Sequence, residues 1–169
     1  MFGFIVRYVF WVCLLFWMVF FDQFSPIFII NQLQTDLMIS LTWLWVDALE
    51  LSLRIQDNTL ILSNGMSLRI VHECNGLTPF LLFLAAVLAY PTFWKNKVAW
   101  AIFGYIALLV INVVRMLLIT LVVIDYPDLF HFAHDWVGRY SVGLLTLGLF
   151  FLFTVFVPIQ ATSLKDRHN

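Results

Sequence analysis

Residues 98–124 read VAWAIFGYIALLVINVVRMLLITLVVI, and Arg115 is their only charged member. A run this long and apolar is a bilayer-spanning helix, because crossing about 30 Å of hydrocarbon takes about 20 residues at 1.5 Å each. The flanks carry the same pattern. Residues 77–94 form a second apolar run that ends at Lys95-Asn96-Lys97. Residues 2–21 form a third, broken only by Arg7, which sits near enough to an end to snorkel. Residues 136–157 form a fourth, in which Gly143 and Gly148 offer places for another helix to approach closely. Apolar residues make up 63% of the 169-residue chain and charged residues 11%, against about 45–50% and about 25% in soluble domains. A water-soluble fold of this size has no interior large enough for them. The expected architecture is a single membrane domain over 1–169: an all-α integral membrane helical bundle of about four transmembrane helices, with an interfacial helix and a small outer β-hairpin.

Arg7, Lys95, Lys97, Lys165 and Arg167 fall on one side of a four-span arrangement, and most carboxylates fall on the other, with Arg54, Arg69 and Arg139 among them. The positive-inside rule then puts both termini and the 95–97 loop in the cytoplasm. The 22–76 segment and the 125–135 loop face outward. Residues 37–49 are apolar but too few to cross, and read as a helix lying in or re-entering the outer interface. Residues 60–70 read as a β-hairpin turning at Asn64-Gly65. The first apolar run is followed by Phe21-Asp22-Gln23-Phe24-Ser25-Pro26, with no small-residue cleavage site, so it reads as a retained signal anchor.

A net charge of −1 gives no electrostatic footprint for nucleic acid. Two cysteines, Cys13 and Cys74, are too few for a disulfide framework, and phosphate-loop, dinucleotide and zinc-helix motifs are missing. No cofactor and no metal is expected.

Three polar features interrupt the apolar runs. Cys74 precedes Asn75-Gly76 at the start of a helix, where the helix dipole favours thiolate and nearby backbone N–H groups can hold an oxyanion. It is otherwise a small packing residue, the role expected of Cys13 in mid-span. Arg115 lies inside a span at a cost of at least about 2.5–3.5 kcal/mol, with Asn112 on the same helix face. It either serves a site or pairs with a carboxylate such as Glu73. His131 and His134 lie near Asp128 and Asp135, where a histidine can move a proton near neutral pH; the i,i+3 spacing could also serve a metal, but no further ligands accompany it. Topology brings Cys74, Arg115 and His134 to one outer site with the roles of nucleophile, charge stabiliser and acid/base.

In these residues the sequence resembles the exosortase/archaeosortase family. The likeness runs from about residue 64 to 156 and rests on Glu73-Cys74-Asn75-Gly76-Leu77, on Asn112-Val113-Val114-Arg115, and on Phe132-Ala133-His134 followed by Gly138. The family box often reads Cys-Ser-Gly, where this chain has Cys74-Asn75-Gly76. In length the chain is most similar to the compact types such as exosortase H. The resemblance implies a membrane-embedded cysteine protease/transpeptidase with Cys74, Arg115 and His134 catalytic and with Glu73, Asn75, Gly76, Asn112 and His131 in support. It further implies a bacterial inner-membrane location with the site facing the periplasm. Its substrates would be exported proteins bearing a C-terminal sorting signal, namely a short motif, a membrane helix and a basic tail, and its acceptor a membrane lipid or glycan. Two other readings compete: a non-catalytic envelope assembly or scaffold protein, and a haem or quinone protein using His131 and His134, for which no paired histidine lies in another span.

Overall fold

The computed structural model describes residues 2–20, 28–49, 52–56, 59–62, 67–69 and 75–159. His72, Glu73 and Cys74, the Asn64-Gly65 turn and the basic tail at Lys165 lie outside them. Helix α1 is Phe2–Phe20 and α2 is Phe28–Ala48. Strands β1 (Ser52–Gln56), β2 (Thr59–Leu62) and β3 (Ser67–Arg69) form an antiparallel sheet in the order β1-β2-β3. Helix α3 is Leu77–Ala89 and α4 is Trp94–Asp125. A 3₁₀ turn at Pro127–Leu129 then opens one helical run: a single α turn, α5 (Phe130–Phe132), a π-helical segment (Ala133–Tyr140), and α6 (Ser141–Phe156).

The architecture is helical, and among the described residues three segments are long and apolar enough to cross a bilayer: Phe2–Val19, Trp94–Asp125 and Pro127–Phe156. Large apolar side chains such as Ile102, Ile106, Leu144 and Phe151 lie on the outside, the arrangement expected where hydrocarbon replaces water.

Several expected boundaries move. The 77–94 span is a 13-residue helix, about 20 Å long and short of a full crossing. It stops because Pro91 forces Tyr90 into an extended conformation (φ −70°, ψ 133°). Lys97 Nζ donates to the Leu88 carbonyl at 2.6 Å, satisfying a carbonyl of the last turn. The 37–49 helix is in fact the second half of a 21-residue helix that packs on α4: Tyr105 O–H donates to Gln34 Oε1 at 2.8 Å, and Ile39 joins the cluster of Met116, Ile119 and Val123. The expected 125–135 loop shrinks to the residues around the 3₁₀ turn, which Pro127 starts with its preset φ. His134 and Asp135 therefore sit within a helix instead of ahead of one. In the 60–70 stretch, β2 and β3 pair with Leu60 opposite Leu68. Strand β1, which carries Arg54, pairs on the other side of β2. Cys13 is exposed on α1 and packs no interior.

Helix α3 lies between α1 and α6 and also packs on α4. Its Phe83 and Val87 meet Leu108 and Phe153 in the largest buried cluster. Gly104 makes that contact possible, since an added Cβ there would fall inside the Phe83 ring. Gly104→Ala is expected to lower stability by about 1–3 kcal/mol, the usual penalty for overpacking, read as an earlier unfolding midpoint in detergent. An unchanged midpoint would mean that Phe83 can swing aside. By contrast, among the described residues nothing lies within 4 Å of a Cβ placed on Gly143 or Gly148.

Candidate active site

Asn112 and Arg115 share one face of α4, and Arg115 Nη1 donates to Asn112 Oδ1 at 3.2 Å. Each of the two packs against a glycine from a different element. Gly76, at φ +77°, begins α3 in the left-handed region that only glycine enters without strain. A Cβ there would stand 3.1 Å from Asn112 Nδ2. Gly138, in the π segment, lies under the guanidinium, and its Cβ would stand 2.8 Å from Arg115 Nε. The two glycines are seats for the two polar side chains of α4, and so lock three separated stretches of sequence together.

Asn75 is 2% exposed and bonded on every side. Its Nδ2 donates to Asn31 Oδ1 at 2.6 Å and to Thr35 Oγ1 at 3.1 Å. Its Oδ1 accepts from the Leu77 N–H at 2.9 Å, closing the first turn of α3. Its carbonyl accepts from Gln34 Nε2 at 3.1 Å. This is the physical use of asparagine in the Cys74-Asn75-Gly76 box: a carboxamide donates to both Asn31 and Thr35 of α2 while it caps α3, whereas a hydroxyl has only one proton to donate.

His134 is the second residue of the π segment. Its Nδ1–H donates to Asp135 Oδ1 at 3.1 Å, since a carboxylate can only accept; in the neutral ring this tautomer carries the lone pair on Nε2. Arg139 Nη2 holds the same carboxylate oxygen at 3.4 Å. The Phe130 ring stacks on the imidazole with centroids 5.5 Å apart. Wide π turns are frequent at functional sites, and here the turn carries His134, Asp135, Gly138 and Arg139.

Asn75, Gly76, Asn112, Arg115 and His134 all line one cavity of about 590 Å³, together with Asn31 and Arg139. Five elements contribute: α2, the start of α3, α4, the π segment and, through Val142 and Gly143, the start of α6. His131 is exposed, lies edge-on to Phe130, and is not among the lining residues. Cys74 and Glu73 lie outside the described residues, one and two positions before Asn75. Among the described residues no group of three or more His, Cys, Asp or Glu could hold a metal ion.

Sequence reasoning passed over Asp135 as a partner of His134, and it passed over the first half of α2. A signal for α2 was present: Asn31, Gln34 and Thr35 fall at i, i+3 and i+4, one helix face, just before an apolar run. The family profile described as transmembrane exosortase (Exosortase_EpsH) matches residues 1–153. No curated protein and no solved structure matches the chain.

Proposed function

The chain belongs to the transmembrane exosortase family and is a multi-pass membrane protein, and from that premise we propose that it is a cysteine transpeptidase acting on exported proteins with a C-terminal sorting signal. One observation carries the reading: residues of all three family boxes line a single cavity, with Gly76 seated on Asn112 and Gly138 on Arg115. A scaffold has no need for an arginine and a carboxylate-oriented histidine facing the same cavity.

In the proposed reaction Cys74, bonded through its peptide to the cavity-lining Asn75, supplies the nucleophile. Its thiolate attacks the scissile carbonyl and the carbonyl π electrons move to oxygen. The Arg115 guanidinium, presenting several donors in one plane, stabilises that developing charge. As the oxyanion collapses, the C–N bond breaks and protonated His134 gives its proton to the leaving amine. The product is a thioester on Cys74 and a released C-terminal fragment. The neutral imidazole next takes a proton from the acceptor nucleophile, a lipid or glycan hydroxyl or amine, which attacks the thioester and frees the thiolate. Asp135 keeps the imidazole in the tautomer that presents Nε2, as the buried carboxylate does in a serine–histidine–aspartate triad.

Lys95 and Lys97 at the start of α4 place that end in the cytoplasm. Asn112 lies 15 residues beyond Lys97, about 22 Å along the axis, so the cavity belongs to the outer half of the bilayer of a bacterial inner membrane, open toward the periplasm. Co-expression with a sorting-signal protein tests the proposal: wild-type chain shortens the substrate at its C-terminus, and Cys74→Ala at equal abundance does not. Equal cleavage by the two would remove the thiol mechanism.

A further inference from the structure

A second hollow adjoins the cavity on the side of α6. Leu82 and Gly143 line both, and the second, of about 330 Å³, is apolar and lies between α1 and α6. Helix α3 is its floor, through Leu82 and Ala86. Tyr8 of α1 stands on one side, and Gly143, Leu147 and Phe150 of α6 on the other. Thr146, the one hydroxyl of α6 at the groove, spends its proton on the Val142 carbonyl at 2.7 Å. At the far end Phe4 stacks on Phe150, with centroids 6.1 Å apart, and joins the two helices.

From Gly143 to Phe150 the groove runs about 10 Å, two turns of helix. Gly143 has no side chain to hold off a neighbour, and among the described residues nothing lies within 4 Å of a Cβ placed on it. Small residues on an open helix face are where transmembrane helices approach closely in lipid. We propose that this groove takes the first two turns of the substrate's own membrane helix, so that the peptide bond just before that helix reaches the cavity. The inference rests on the proposed function. The shared wall at Leu82 and Gly143 favours this occupant, because a helix seated there brings its N-terminal flank beside the cavity that holds Arg115 and His134. The Phe4–Phe150 contact then turns the rest of the substrate helix outward into the lipid.

Photo-crosslinking in membranes co-expressing a sorting-signal substrate tests the seat. Benzoylphenylalanine replaces Leu147, which is 64% exposed in the groove, or Ile106, which is 54% exposed on α4, in a Cys74→Ala background. The expected adduct joins position 147 to the first two turns of the substrate helix, about tenfold above the yield from position 106. In the chain with Cys74 intact, Leu147→Trp fills the groove and lowers the preference for helix-bearing over helix-free substrate about tenfold. Equal adducts from the two positions, or adducts from 147 only to lipid or to a second copy of the chain, would overturn the seat. Cys74-dependent cleavage in the same membranes separates the two claims: cleavage without the adduct defeats the groove alone, and loss of Cys74 dependence defeats both.

Discussion

His134→Ala is expected to lower substrate cleavage by about 10²–10⁴-fold, while His131→Ala is expected to keep most of it, with both proteins equally abundant in the membrane. The difference follows from placement. His134 lines the cavity and is held by Asp135 on Nδ1 and by the Phe130 ring on its face. His131 is one turn earlier, exposed, and does not line the cavity. A proton carrier must come within hydrogen-bond reach of the leaving group, and the better-anchored ring has the advantage. Asp135→Asn should give an intermediate loss, because the ring stays in place while its tautomer is no longer enforced. Immunoblots of the cleaved substrate against time measure all three. If His131→Ala were the inactive variant, the acid/base role would move to His131; two active histidine variants would remove imidazole from the reaction.

The second large effect is at Arg115. Arg115→Lys retains the charge and loses the planar fork, with an expected loss of about 10²–10³-fold in turnover and with the protein still accumulating. Lysine cannot both donate to Asn112 and lie flat over Gly138 as the guanidinium does. The same geometry predicts a loss from a residue that touches no substrate. Gly138→Ala puts a methyl group 2.8 Å from Arg115 Nε and must displace the guanidinium. Turnover falls in Gly138→Ala while KM changes little, as for an interaction made only in the transition state. Near-normal turnover by Arg115→Lys would make Arg115 a structural cation, and Gly138→Ala would then lower abundance in place of turnover.

Much of this was legible in the residues. The 98–124 span is plain from its apolarity, and Arg115 stands out because a charge in hydrocarbon must have a use. Bringing Asn75-Gly76 together with Asn112 and Arg115 across two helices follows from topology. What the sequence hides is depth and exact phase. A Tyr90-Pro91 stop inside a long apolar run is easily read through, and so α3 seems able to cross when it is 13 residues long. Polar side chains that face an internal cavity look the same in sequence as polar side chains that face water. For that reason His134 and Asp135 read as loop, and Asn31, Gln34 and Thr35 go unnoticed, although all of them are inside helices. The π turn adds a residue per turn without any compositional mark. The glycines show the same limit. Gly143 and Gly148 read as places for close approach, yet among the described residues nothing lies within 4 Å of a Cβ on either, whereas Gly104 and Gly138 each admit a specific side chain.

The central claim is that Cys74 carries the substrate as a thioester between cleavage and transfer. Intact-mass analysis of the acid-quenched protein, purified during turnover with acceptor withheld, reads it directly. The account predicts a mass increment equal to the substrate's acyl portion on the peptide containing Cys74, removed by hydroxylamine and lost in Cys74→Ala. Continued cleavage with Cys74 unmodified, or the same increment on the Cys74→Ala protein, would contradict it.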